Sequence, residues 1–393
     1  MIALREQDVH ANPARLASAW ADPASFLLVP EKMGSAEGWI GAALAKVPAE
    51  FARNHFVMLT SGSTGLPKLI IGRRDRAERL ARVLHDVQQS EPVEQTIALL
   101  PLSYTYSFVN QWIWSHVMKR QFIATAGLAD PGSLRNSLEQ ATNAMVCLVG
   151  VQVPLMLSHF RGVSFPGIIR VHFAGGRFPQ ERLGELHEIF PRAQVYNNYG
   201  CAEAMPRLTV RRANDAGEAA NIGYPLPGVE LRADEDHAIR FRSPYAAVGV
   251  VEGERFRQIQ PEEWVPSGDL GRANADGSWT LLGRASEVFK RHGEKVSLAA
   301  LMTSVSAVWP GQCAFFREPD HTGEEGCVLV LTPESTSADI GPVLMALRKH
   351  HPRAHWPLRI ESVSTLPLLS NGKTDTRALS SMSTKRVLWK QHL

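Results

Sequence analysis

The chain has 393 residues, of which 44% are hydrophobic and 21% charged, with 42 Lys and Arg against 39 Asp and Glu for a net charge of +3. That length and apolar content allow one large packed domain with a smaller second one, and they exclude a disordered chain. The balanced charge provides no basic field of the kind that attracts nucleic acid, so no nucleic-acid partner is expected.

In chain order, the start Met1-Ile2-Ala3-Leu4-Arg5-Glu6 lacks a signal-peptide apolar region. The first motif is Thr60-Ser61-Gly62-Ser63-Thr64-Gly65-Leu66-Pro67-Lys68. Glycines let backbone N–H groups approach phosphate oxygens, hydroxyls add donors and reach a metal, and the lysine adds a mobile charge. It is not a Walker loop, because Pro67 precedes Lys68 and Leu69 follows it. Helix-like stretches at Arg76–Gln88 and Pro179–Ile189 alternate with β-branched runs at Thr96–Leu100, Ala144–Val149, Ile168–Phe173 and Gln194–Tyr196. This alternation predicts an α/β fold with layered sheets and helices. From Gly223 to Leu282 short strands and turns predict a β-rich segment, and after Arg284 a smaller α/β unit follows. The expected division is a large domain at 1–283 and a small one at 284–393. The small domain carries 14 basic and 10 acidic residues, which suits an anionic partner. Cys147, Cys201, Cys313 and Cys327 show no pairing or metal spacing, as expected of reduced thiols. The most apolar run, Ala144 to Leu157, is broken by Gln152 and Pro154 and is too short to span a bilayer. A cytoplasmic protein with no membrane partner is expected.

Five further segments follow the phosphate loop in a fixed order. They are Ala174-Gly175-Gly176; Tyr196 to Glu203, containing Tyr199-Gly200-Cys201-Ala202-Glu203; Ser267-Gly268-Asp269; Gly283-Arg284 through Gly293-Glu294-Lys295; and Leu366-Pro367 through Asn371-Gly372-Lys373. Together with the loop they resemble the adenylate-forming superfamily of acyl- and aryl-CoA synthetases, peptide-synthetase adenylation domains and luciferases. The resemblance covers roughly residues 55 to 380, and it implies ATP and Mg²⁺ as cofactors. By that resemblance Thr60, Ser61, Gly62, Ser63, Gly65 and Lys68 hold the phosphates. Glu203 and the Thr64 hydroxyl ligate Mg²⁺, a hard ion suited to carboxylate oxygen. Gly175 and Gly176 let the nucleotide approach the backbone, Tyr199 stacks on adenine and Asn197 bonds its exocyclic amine. Asp269 and Arg284 take the ribose hydroxyls, although Ser-Gly-Asp is also an ordinary turn sequence. Lys373 resembles the catalytic lysine that bridges carboxylate and α-phosphate, two anions that repel until positive charge neutralises them. The expected activity is ligation of an acid to a thiol through an acyl-adenylate, with rotation of the small domain between the two half-reactions.

Departures accompany the matches. Ala202 stands where the family usually has Thr, and Ser286 fills the hinge position where Asp or Lys is common. The region before Thr60 is shorter than in full-length relatives, which predicts an apolar patch covered by a partner or a homodimer.

The stretch Pro101-Leu102-Ser103-Tyr104-Thr105-Tyr106-Ser107-Phe108, with Trp112 and Trp114, lies where the family begins its acid pocket, and no acidic residue occurs between Pro101 and Ala129. A substrate ammonium would be left unpaired there, which disfavours an amino acid and favours an aryl or acyl acid. Tyr104 and Tyr106 suit a hydroxybenzoate-like ring, with Phe108 and Gly200 beside it. Ordinary core aromatics are the alternative. Lys290 and Gly293 resemble the lining of a pantetheine tunnel, so the thiol is that of CoA or of an acyl carrier protein. The competing readings are a degenerate nucleotide- or acyl-binding protein of the same fold, and a stand-alone amino-acid adenylation enzyme.

Overall fold

The computed structural model describes residues 1–31, 37–60, 68–150, 152–176, 178–213, 220–253, 255–368 and 374–391. Its contacts divide the chain into two units, one formed by Met1–Asp234, Ile239–Ser267 and Arg272–Thr280, the other by Glu235–Ala238, Gly268–Gly271 and Leu281–Leu393.

The first unit begins with strands β1 (Ile2–Arg5), β2 (Phe26–Val29), β3 (His55–Thr60) and β4 (Lys68–Arg73). Next come β5 (Gln95–Ala98), β6 (Gln121–Ala124), β7 (Ala144–Val149), β8 (Ile168–Ala174) and β9 (Gln194–Tyr199). The β-rich stretch holds β10 (Thr209–Arg212), β11 (Asn221–Pro225), β12 (Glu230–Ala233), β13 (Ala238–Arg242), β14 (Gly249–Glu252), β15 (Arg255–Gln258), β16 (Val265–Ala273) and β17 (Trp279–Arg284). One sheet has the order β1-β2-β3-β4-β14-β15, and the other runs β12-β13-β16-β17-β11-β10-β9-β8-β7-β5-β6. The middle of β16 (Gly268–Gly271) and the end of β17 (from Leu281), with the first residue of β13, count with the second unit.

Strands β5 to β9 pair in parallel. Parallel strands are covered on both faces, which explains why β7 (AMVCLV) and β8 (IIRVHFA) are buried almost throughout. Side chains still alternate between faces. Ala144, Val146, Leu148, Val171, Phe173 and Val195 join one apolar cluster, whereas Cys147 and Ala174 join Leu100 and Tyr106 in another. Helix Arg74–Val87 buries Ala77, Leu80, Ala81 and Leu84, a stripe at helical spacing. The expected helix over Pro179–Ile189 forms in two pieces, a 3₁₀ turn at Gln180–Arg182 and an α-helix at Leu183–Ile189. Arg182 lies off helical geometry at ψ 10°, and the Gln180 side chain is drawn aside by Arg211 and the Ala213 carbonyl.

The second unit contains the hairpin β18 (Val288–Arg291) and β19 (Glu294–Ser297), then β20 (Cys313–Pro319), β21 (Glu325–Leu331), β22 (Arg359–Ser362) and β23 (Arg386–Lys390). The last four form one sheet in chain order. Its alternation gives two cores, Phe315, Leu329, Leu331 and Ile360 on one side and Ala314, Phe316, Val328 and Val330 on the other. Among the described residues, no helix is long and apolar enough to cross a membrane.

Candidate active site

In the first unit Gly175, Gly176, Gly200 and Glu203 follow the carboxyl ends of the parallel strands β8 and β9, the usual place for ligands in such sheets. Val149 on β7 pairs with Ala174 on β8, and Phe173 pairs with Asn197 on β9. Gly175-Gly176 leaves β8 and Gly200 leaves β9, so the two glycine turns issue from adjacent strands. A Cβ on Gly175 would lie 3.3 Å from Val149 Cγ1, and one on Gly176 would meet nothing within 4 Å. Gly200 is tighter, because a Cβ there would sit 1.8 Å from the Pro206 carbonyl oxygen. The turn from Gly200 to Pro206 therefore closes only with glycine at its start. Glu203 lies within it on a one-turn 3₁₀ helix, Ala202–Ala204, and its backbone carbonyl accepts from Ala247 N at 2.9 Å. This fixes the backbone while leaving the partly exposed carboxylate to a ligand.

Tyr199 is buried in register with Thr209. The Asn197 amide donates to the Asn221 carbonyl at 3.3 Å, so the acceptor Oδ1 is the atom suited to an exocyclic amine. Thr60 and Lys68 face each other across the β3–β4 ladder. Lys68 Nζ lies 3.0 Å from Glu252 Oε1. Ser61, Gly62, Ser63, Thr64 and Gly65 between them lie outside the described residues, as does Lys373. Among the described residues no cluster of three or more His, Cys, Asp or Glu is placed to hold a metal. A lone Glu203 still fits Mg²⁺, which takes one or two carboxylates and fills its shell with phosphate oxygens and water.

In the second unit Asp269 and Arg284 meet, with Nε 3.1 Å from Oδ1. Asp269 is buried and Arg284 half-exposed, which leaves the guanidinium edge open to solvent. The β18–β19 hairpin turns on His292-Gly293, both at positive φ (50° and 82°), the two-residue turn that matches strand twist. Lys290 pairs with Lys295 across it, and Lys295 Nζ is bonded to Asp236 at 2.5 Å.

The acid-side residues separate. Phe108 is fully buried against Trp20, Phe26, Phe56 and Trp112, at the start of a π-helical segment Phe108–Ile113. Its ring is part of the core. Tyr104 and Tyr106 instead pack against Cys147, Ala174 and Val149. The Tyr106 hydroxyl donates to the His172 carbonyl at 2.9 Å. The loop bearing them is held by Glu6, a buried carboxylate that accepts from Ser103 N at 3.1 Å and Ser103 Oγ at 2.8 Å.

Three groups beside Tyr106 escaped the sequence reading. Cys147 and His172 are register partners on β7 and β8, and the Arg207 guanidinium lies over the Tyr106 ring, 4.5 Å from its centroid. Burial pushes the Cys147 thiol up to about 12. It pushes the His172 imidazole down to about 3, with Arg207 and Arg170 adding to the effect. The Tyr106 phenol is raised by burial as well. All three are therefore neutral at ordinary pH. Period-2 reading of β7 and β8 places Cys147 and His172 on the face opposite Val146 and Val171, but the approach of Arg207 depends on the Gly200–Pro206 turn.

The sequence profile of the AMP-binding enzyme family matches residues 9–241. A non-ribosomal peptide synthetase from Streptomyces venezuelae, CmlP, is 25% identical over 84% of this chain, which spans 34% of that synthetase. A salicylyl-CoA synthase / salicylate adenylyltransferase from Streptomyces sp is 24% identical, covering 82% of this chain and 62% of that protein. Among solved structures, the anthranilate CoA ligase AuaEII in complex with anthranoyl-AMP superposes with a TM-score of 0.72 at 19% identity, over 96% of this chain and 77% of the other.

Proposed function

The chain belongs to the AMP-binding enzymes, and from that premise we propose that it activates an aryl or acyl carboxylic acid with ATP and Mg²⁺ and passes the acyl group to a phosphopantetheine thiol. A carboxylate oxygen attacks the α-phosphorus of ATP, the bond to the bridging oxygen breaks, and pyrophosphate leaves with the electron pair. The thiol then attacks the acyl carbon, AMP leaves, and the thiol proton passes to solvent. The observation that carries this reading is the pair of glycine turns leaving β8 and β9, with Glu203 held on the second by Ala247.

Mg²⁺, when bound, neutralises phosphate charge, and Glu203 is the residue assigned to hold it, with the Thr64 hydroxyl. Tyr199 and Asn197 receive the adenine, and Asp269 with Arg284 receives the ribose. Lys373 is assigned the positive charge that offsets repulsion between carboxylate and phosphate. The hairpin of Lys290 and Gly293 is assigned to the pantetheine arm, of CoA or of a carrier protein. Relatives with aryl substrates in their names, salicylyl-CoA synthase and anthranilate CoA ligase, favour an aryl acid.

The test is pyrophosphate release with benzoic, hydroxybenzoic, cinnamic, fatty, dicarboxylic and amino acids, with and without CoA. Release driven by one acid class, and stimulated by CoA, is expected. Silence across the panel while ATP still binds would replace this reading with that of a nucleotide-binding protein without turnover. Lys373→Ala should abolish adenylation and spare thioester formation from supplied acyl-adenylate.

A further inference from the structure

Arg207 is fully buried, none of its three guanidinium nitrogens has an acceptor in good hydrogen-bond geometry, and the group that still acts on it as a hydrogen-bond partner is the neutral Tyr106 phenol. Among the described residues it is the one arginine in that state, since every other buried guanidinium keeps at least one acceptor. The groups acting on it are the Tyr106 phenol, which lies under it, and the Cys147 thiol. Both are neutral, and so is the neighbouring His172, so no protein charge balances the guanidinium. Arginine keeps its proton even when buried, so the site cannot discharge itself as a lysine site could. A lone buried cation weakens a fold unless something pairs it.

Its place says what that partner is. Tyr106, Cys147 and His172 lie on the face of β7 and β8 that ends at Gly175, and Arg207 follows directly on the Gly200–Pro206 turn that carries Glu203. A planar fork with several donors matches a carboxylate in a bidentate pair. We infer that the acid activated here carries a second carboxylate, and that Arg207 binds it while the first is adenylated. This deepens the proposed function and rests on it for the word adenylated only; the dicarboxylate site itself follows from the uncompensated guanidinium.

The experiment compares matched acids on the full chain. Benzoate is set against the three benzenedicarboxylates, and butyrate to hexanoate against succinate to adipate, with wild type, Arg207→Met and Arg207→Lys. ATP–pyrophosphate exchange is the first readout, and calorimetric binding of each acid without ATP is the second. At least one dicarboxylate should exceed its monoacid by roughly a hundredfold in kcat/KM, and Arg207→Met should erase that preference while Arg207→Lys keeps part of it. The thermal midpoint of Arg207→Met should rise by about 2 °C, since an unpaired charge is removed. Exchange that is equal for mono- and dicarboxylates in wild type, or lost alike for both in Arg207→Met, overturns the inference. Dicarboxylate binding that Arg207→Met abolishes, with no exchange for any acid, keeps the inference and sinks the adenylation reading. Absence of dicarboxylate binding by calorimetry sinks the inference whatever the exchange assay gives. Should Arg207→Met fail to fold, Arg207→Lys decides by the same preference ratio.

Discussion

Two buried arginines, one in each unit, show how differently the same side chain can be used. Arg291 in the second unit is as inaccessible as Arg207 in the first, at 1% and 0% exposure. Arg291 donates to the Trp356 carbonyl at 3.0 Å and to Gln391 Oε1 at 3.5 Å, and lies 3.9 Å from the Asp320 carboxylate. It ties β18 to the loop before β22 and to the segment after β23, so its desolvation is offset within the fold. Arg207 has a ring face beneath it and, beyond the neutral Tyr106 phenol, no acceptor and no anion. Burial alone therefore does not separate a structural cation from a binding one; the partner count does.

The comparison can be broken by substitution. Arg291→Met leaves the Trp356 carbonyl short of a donor and Asp320 short of its nearby cation, and should destabilise the second unit by about 3 kcal/mol, read from urea unfolding. Glu6→Gln tests a buried anion that, unlike Arg207, has its partners at hand. Loss of the charge-assisted bonds to Ser103 should cost about 2 kcal/mol and raise KM for the acid, because the Tyr104–Tyr106 loop loses its anchor. Arg207→Met should have the smallest effect and the opposite sign, a gain of about 1 kcal/mol. An Arg207→Met protein as destabilised as Arg291→Met would mean that the two arginines do the same job. The pair assigned to the ribose is read in kinetics rather than in stability: Asp269→Asn should raise KM for ATP about tenfold, with kcat for a saturating acid little changed.

The same contrast explains what could be read from the sequence. Strands β7 and β8 were legible, because strands buried on both faces are continuous apolar runs bounded by turn residues; Ala144–Val149 has the same limits in sequence and structure. The four-residue strands β1 and β2 were not, since Ile2–Arg5 and Phe26–Val29 are too short to show a period. Nor was the assignment of Glu235–Ala238 and Gly268–Gly271 to the second unit, which arises from packing between segments distant in the chain. Among the candidate residues, Glu203, Asp269 and Arg284 stood out because their glycine-bearing turns are local. Phe108 and Tyr106 looked alike in an aromatic run, and only tertiary contacts send one ring into the core and the other toward Ala174. Arg207 reads locally as an exposed cation between Pro206 and Leu208. Its burial is imposed by Tyr106 and Cys147, which no local pattern links to it.

The central claim is adenylate formation, and its most direct measurement is detection of the acyl-AMP itself by mass spectrometry after incubation with ATP, Mg²⁺ and each acid of the panel. The account predicts an acyl-adenylate for one acid class in wild type, and none for Glu203→Gln under the same conditions. ATP binding with no acyl-adenylate from any acid, or undiminished product in Glu203→Gln, would contradict it.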